Sequence, residues 1–206
     1  MSELSYLHRF EKGSDPVAPP LLLLHGTGGD ENDLIPLARQ LSPGSALLSP
    51  RGDVLENGQP RFFRRFGEGV FDLADVEKRT HALADFIGAA AAKYHFDPAR
   101  LTALGFSNGA NIAASLLLLR PESLASAILL RPMVVLTPAK LPQLTGKRIL
   151  ISSGTRDPVV PADHPARLAT VFRQAGAEVS LHSSVASHGL VPADFTAALA
   201  FLAAGA

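Results

Sequence analysis

The stretch LTALGFSNGANIAASLLLL, residues 101–119, constrains the chain more than any other. Leu101 to Phe106 is a continuous apolar run, as expected for a strand buried on both faces. Asn111 to Leu119 is apolar enough for a buried helix. Between them Gly105, Ser107 and Gly109 leave almost no residues for a turn. A strand that enters a helix through Gly-x-Ser-x-Gly is the pattern of a nucleophile elbow. Glycine at 105 and 109 avoids collision with the neighbouring strand and helix. The strained turn holds the serine hydroxyl above the sheet, and the helix N-terminus beneath it favours developing negative charge.

An elbow needs a sheet, and the chain supplies the strands. Apolar runs recur at Leu21–Leu24, 45–49, 101–106, 126–130, 148–152 and 178–182. Most are continuous, which suits parallel strands covered on both faces. Leu4, Tyr6, His8 and Phe10 instead share one face, which suits an antiparallel edge strand. Helical patterns lie between the runs. Leu34, Leu37, Ala38 and Leu41 form one stripe; Pro36 belongs in a first turn, so Asp33 is the expected N-cap. Val76, Leu83, Ile87, Ala90 and Tyr94 mark a longer helix from about Asp72. Leu168, Val171, Phe172 and Ala175 mark another, stopped by Gly176. Phe195, Leu199 and Leu202 are expected to face inward on a last helix that follows Pro192. Strands alternating with helices predict a doubly wound α/β fold with a mainly parallel sheet. The 206 residues are read as one domain, 1–206, long enough to bury roughly 70% of the unfolded surface.

Ligands of such sheets sit beyond the carboxyl ends of the strands, so the residues just after each run are the candidates. HGTGGDEND follows the first parallel run, Ser107 the third, and RPM (131–133) the fourth. SGTRDPVVP brings Asp157 and SSVASHGL brings His188. A serine, an acid and a histidine therefore share one sheet edge. A serine hydroxyl is a weak nucleophile unless a base takes its proton and a third group orients that base. His188 is the candidate base and Asp157 the candidate orienting acid. The backbone N–H groups of Thr27 and Asn108 are the candidate donors for an oxyanion. Among rivals, Asp163 reads as a helix N-cap, His182 and His95 as structural, and His25 as a brace for the glycine loop. His81 and His164 fall on helices, and His8 on the edge strand.

Composition removes other classes. Lys plus Arg and Asp plus Glu are 19 each, which gives no electrostatic case for nucleic acid or an anionic membrane. There is no cysteine, hence no disulfide, thiolate site or cysteine nucleophile. The aliphatic runs are far below the ~20 residues of a membrane span, and MSELSYLHRFEKG lacks the apolar core of a leader. No His/Asp/Glu group has metal-ligand spacing, so neither metal nor cofactor is expected. The expected location is the cytoplasm, and the expected partner is a small-molecule ester, with a homodimer left open.

LLLLHGTGGDENDL, GFSNGANIA, SGTRDPVVP and SHGL together resemble the phospholipase/carboxylesterase family of α/β-hydrolases. LSPRGDVLENGQPRFFRRFGEGVFD, residues 48–72, looks like a bacterial branch with members linked to quinone or hydroquinone stress. The resemblance covers nearly the whole chain. It implies an α/β-hydrolase sheet and ester hydrolysis by Ser107, Asp157 and His188. The related acyl-protein thioesterases usually carry Gln after the serine and a further Gly beyond the elbow, where this chain has Asn108 and Ala110. Dienelactone hydrolases are also similar but usually use cysteine. Residues 131–146 are too few for an inserted cap domain, so an open site for small or medium acyl esters is expected. Thioesterase or lysophospholipase activity and a non-catalytic ligand sensor are the alternatives. In PRFFRRF, Phe62 and Phe63, with Met133, are candidates for an apolar pocket. Arg64, Arg65 and Arg131 are candidates for its mouth, where a guanidinium could hold a carboxylate or phenolate. Arg61, Arg64 and Arg65 lie beside the two rings, and the competing role for these arginines is pairing with Asp53, Glu56 or Glu68 to pin the loop.

Overall fold

The computed structural model describes residues 4–205. Seven strands form one sheet. They are β1 (His8–Glu11), β2 (Leu21–Leu24), β3 (Leu47–Pro50), β8 (Thr102–Phe106), β9 (Ser126–Leu130), β10 (Arg148–Gly154) and β11 (Glu178–Ser184). The numbers between belong to two small hairpins, β4 (Val54–Glu56) with β5 (Gln59–Arg61) and β6 (Arg65–Gly67) with β7 (Val70–Phe71). The spatial order is β1-β3-β2-β8-β9-β10-β11, and every pair is parallel except β1 with β3. The antiparallel edge strand and the parallel core follow the reading of the sequence.

Among the described residues five α-helices cover the two faces: α1 (Ile35–Leu41), α2 (Leu73–Tyr94), α3 (Asn108–Leu119), α4 (His164–Gln174) and α5 (Pro192–Ala203). Alternation along each strand divides the core in two. Leu22, Leu24, Ala103, Leu129, Ile149 and Ile151 pack against α2, α3 and α4. Leu21, Leu23, Leu104, Ile128, Leu130 and Leu150 pack against α1 and α5. This double coverage is why the central strands read as unbroken apolar runs. β11 departs from that reading. It is the far edge, its residues are all exposed or half-buried, and Leu181 is 47% exposed.

Helix boundaries follow local chemistry. The long helix α2 starts where expected, and Asp72 caps it, its side chain accepting the Asp75 N–H. Two expectations are corrected. The N-cap of α1 is Leu34 rather than Asp33, and it has no side-chain cap hydrogen bond. On α5 Phe195 and Leu202 pack on the core as expected, though half-buried, but Leu199 is exposed and the fully inward residues are Asp194, Ala198 and Phe201. Asp163 does occupy the N-cap position of α4, but its carboxylate pairs with Arg167 at 3.1 Å instead of capping. Among the described residues no insertion forms a separate cap, and residues 131–147 run as a loop with no helix or strand.

Candidate active site

Sterics fix the elbow. Ser107 sits between β8 and α3 at φ 52°, ψ −113°, a conformation that costs a non-glycine residue strain. A Cβ on Gly105 would lie 2.6 Å from Gly109 O, and one on Gly109 would overlap the Leu24 carbonyl. Both positions therefore require glycine for space. The Ser107 N–H donates to Leu130 O at 2.8 Å, which carries the sheet pairing into the turn.

The acid and histidine loops leave adjacent parallel strands and stay joined beyond them. Thr155 N–H donates to Ser184 O (2.9 Å) and Arg156 N–H to Ala186 O (3.0 Å). Gly154 allows this approach, since a Cβ there would meet Ala186 O and Ser187 O at 2.5 Å. His188 Nδ1–H donates to Asp157 Oδ2 at 2.8 Å, and Nε2 lies 2.9 Å from Ser107 Oγ. With Nδ1 protonated toward a carboxylate, Nε2 is left as a hydrogen-bond acceptor facing the Ser107 hydroxyl. Asp157 is 2% exposed at its side chain, and its Oδ1 accepts the N–H groups of Val159 (2.8 Å) and Val160 (3.1 Å). Burial pushes the Asp157 carboxyl up. The His188 bond and the two backbone donors outweigh that and hold it below the usual carboxylate value.

The other limb is the loop after β2. Thr27 N–H makes no hydrogen bond among the described residues. Asn108 opens α3, so its N–H is one of those the helix leaves without an intrahelical partner. His25 braces this limb. Its Nδ1–H donates to Gly26 O (2.7 Å) and its Nε2 accepts Gly52 N–H (2.9 Å). Burial pushes its imidazole below the ordinary value, consistent with a neutral ring donating on one side and accepting on the other. The remaining histidines have other surroundings. His8 bonds Tyr94 Oη and Tyr6 O, His164 accepts Val134 N–H, and His95 ends α2 in the left-handed region. His182 lies within β11.

The expected substrate pocket is largely corrected. Phe62 and Phe63 are fully buried, Phe62 against His25 and Phe63 edge-on to Phe71, so they belong to the core and not to an open pocket. Met133 is 4% exposed, and its N–H is held by Asn111 Oδ1 at 2.7 Å. Arg131 stands at no mouth. Its side chain is fully buried and paired in two-pronged fashion with Asp194, at 2.9 and 2.7 Å. It also donates to Ser187 O (3.3 Å) and Gly189 O (3.0 Å), the carbonyls on either side of His188. Arg65 bonds Glu56 (3.0 Å) and Glu68 (2.6 Å), which is the loop-pinning alternative. Asp53 pairs with Arg79 instead. Arg64 keeps an exposed side chain beside Asp72 at 3.0 Å. Arg65→Ala is therefore expected to change KM by the same factor for a neutral ester and its carboxylate-bearing analogue. A selective rise for the carboxylate ester in steady-state kinetics would return Arg65 to substrate binding.

Asp194 escaped the reading of the sequence, and so did the bond that Arg61, read only as one of the arginines that could pin the loop, makes to Thr27. Arg61 is buried, and its Nη1 donates to Thr27 Oγ1 at 2.5 Å. Asp194 lies under the His188 loop, bonded to Arg131, to Ser152 Oγ (2.6 Å) and to Val191 N–H (2.8 Å). Nothing in the pattern separates Arg61 from its neighbours. Asp194 carries one usable signal, an acid in the first turn of a helix after Pro192.

A mainly parallel, doubly covered sheet carrying a glycine-flanked serine at a strand–helix turn defines an α/β-hydrolase. The phospholipase/carboxylesterase family profile matches residues 7–205, and the chain belongs to that family. It is 47% identical over 184 residues to the hydrolase-class protein MhqD of Bacillus subtilis (strain 168), spanning 89% of this chain and 90% of that one. Its structure is similar to the Bacillus cereus carboxylesterase, with TM-score 0.96, 42% identity and coverage of 98% and 95% of the two chains. It is also similar to a carboxylesterase from Mesorhizobium loti, with TM-score 0.91, 33% identity and coverage of 98% and 97%. The enzyme class is carboxylic ester hydrolase. No described helix is long and apolar enough to cross a membrane.

Proposed function

We propose that the chain is a serine carboxylesterase that hydrolyses small to medium acyl esters through an acyl-enzyme on Ser107. The observation that carries this reading is the continuous relay from Ser107 Oγ through His188 to Asp157, at 2.9 and 2.8 Å. Ser107 Oγ attacks the ester carbonyl carbon while His188 Nε2 takes its proton. The N–H groups of Thr27 and Asn108 receive the tetrahedral oxyanion. The intermediate collapses, the C–O bond to the alcohol breaks, and the imidazolium gives its proton to the departing oxygen. Water then attacks the acyl-enzyme, with His188 again as base, and releases the acid. Asp157 keeps the imidazole in the required tautomer and offsets its positive charge. Small and medium acyl groups suit an edge that no separate cap covers, and the absence of cysteine fits a reducing compartment such as the cytoplasm.

A substrate panel tests the reading. p-Nitrophenyl acetate should turn over faster than p-nitrophenyl octanoate, and both faster than an acyl-CoA. A strong preference for the acyl-CoA would instead establish a thioesterase, and folded protein inert to all three would leave only a ligand-sensing role. Within the relay, His188→Ala should lower kcat by about a millionfold and Asp157→Asn by on the order of ten-thousandfold. His182→Ala should retain activity. Loss of turnover in folded His182→Ala, with His188→Ala still active, would overturn the choice of base.

A further inference from the structure

We propose that Pro60, Arg61 and Phe62 form a brace that sets the spacing of the two oxyanion donors, with Arg61 as its positioning residue. The proposal rests on the reading of Ser107 as nucleophile and of Thr27 and Asn108 as donors. Those donors come from different places: Thr27 from the loop after β2, Asn108 from the head of α3. Three consecutive residues touch both. Pro60 O accepts Gly28 N–H at 3.0 Å. Arg61 Nη1 donates to Thr27 Oγ1 at 2.5 Å. Phe62 N–H donates to Asn108 Oδ1 at 2.8 Å. The side chain that follows the nucleophile is therefore tied, through one peptide unit, to the residue that holds the other donor loop.

The brace is itself fixed. Arg61 is 3% exposed at its side chain, donates from Nε to Phe63 O at 3.2 Å and lies 3.4 Å from Glu56. Its guanidinium also sits over the Phe63 ring, 5.8 Å from the centroid. Below it, a Cβ on Gly52 would overlap Arg61 carbonyl atoms, while Gly52 N–H donates to His25 at the root of the Thr27 loop. Burial of an arginine away from water is costly unless its donors are used. Here they are used on the Thr27 hydroxyl and on the Phe63 carbonyl that follows the brace, with Glu56 beside them. An oxyanion hole works only when both donors are 2.7–3.1 Å from where the charge develops. A misplacement on the order of 1 Å can cost a hundredfold. The short β4–β5 hairpin thus delivers residues 60–62 into the gap between the two limbs.

Thr27→Val removes the hydroxyl that Arg61 holds, keeps the side-chain shape and leaves the backbone donor in place. Arg61→Gln removes the guanidinium, and Arg61→Lys keeps a donor without the fork. Each is assayed as full-length protein for kcat, KM and inhibition by an alkyl trifluoromethyl ketone, whose free carbonyl carbon is attacked by Ser107 Oγ, with the serine proton passing to His188, to give a tetrahedral hemiketal oxyanion on Ser107. Thr27→Val and Arg61→Gln should lower kcat about tenfold to a hundredfold with KM within about twofold, and weaken the ketone by the same factor as kcat. Arg61→Lys should recover part of both losses. Unchanged kcat and ketone affinity in Thr27→Val overturns the brace, and this variant decides the matter even where Arg61→Gln does not fold. Mapping fluorophosphonate on wild-type protein separates the two levels. Label on a residue other than Ser107 removes the site reading, whereas label on Ser107 with insensitive variants removes only the brace.

Discussion

Alanine at position 107 is expected to leave the fold and melting temperature unchanged while lowering kcat by about a millionfold, the usual cost of losing a triad nucleophile. The fold survives because the features that build the elbow lie elsewhere. They are the absence of a Cβ at 105 and 109, the Ser107 N–H bond to Leu130 O, and the packing of α3 on both neighbouring strands. Ser107 Oγ contributes only its hydrogen bond with His188. The residual rate over water should come from the oxyanion donors and from binding. The measurement is turnover of p-nitrophenyl acetate beside a thermal melt, with mass-spectrometric mapping of a fluorophosphonate adduct on wild type. An alanine variant that keeps a tenth of the wild-type rate would remove Ser107 from the chemistry.

The elbow was legible because its cause is steric and local. A strand that turns straight into a helix has no space for a Cβ at 105 or 109, and glycine in a sequence records that directly. Asp157 and His188 were legible for a related reason. A parallel sheet places the residue after each strand at one edge, so chain order becomes spatial proximity. The β4–β5 hairpin was missed although Asn57-Gly58, at φ 51° and 78°, is a turn pair suited to a two-residue hairpin. Its strands have only three residues each, with Pro60 and Arg61 in one of them, too short and too polar to carry a periodic signal. Phe62 and Phe63 read as pocket residues because three arginines surround them. The structure instead turns both rings into the core and uses Arg61 and Arg65 as anchors.

The α5 error has one physical source. Hydropathy predicts that Phe195, Leu199 and Leu202 turn inward, since a leucine gains more than an aspartate from leaving water. Phe195 and Leu202 do pack on the core, but that face is shared with Asp194, which reaches Arg131, and Ser152 and Val191 complete its hydrogen bonds. No local pattern announces a pair separated by 63 residues. Leu199 is exposed, and the sheet edge gains a fixed charge pair beneath the loop that carries His188.

Asp194→Ala should consequently be the most destabilising substitution near the site. It would strand the fully buried Arg131 guanidinium, and removal of one partner from a buried ion pair costs about 3–5 kcal/mol. At about 2–4 °C per kcal/mol for a chain of this size, the melting temperature should fall by roughly 6–20 °C. Replacing both partners with apolar residues, Arg131→Met with Asp194→Leu, should recover much of this stability because no charge is left unpaired. The double variant should still turn over more slowly than wild type, since the Arg131 bonds to Ser187 O and Gly189 O would be gone. The stability effect has a definite pH sign. Burial pushes the Asp194 carboxyl up, but Arg131, Ser152 and Val191 outweigh it and hold it below the usual carboxylate value. A depressed native value means the unfolded chain binds the proton more tightly, so acid favours unfolding. The pair's contribution is thus complete above the unfolded aspartate value, about 3.9, and is lost as pH falls through the lower native one. Thermal melts of wild type and Asp194→Asn across that range should converge toward the acid end. A melting temperature for Asp194→Ala within about 2 °C of wild type at neutral pH, less than about 1 kcal/mol, would show that the pair does not hold this edge.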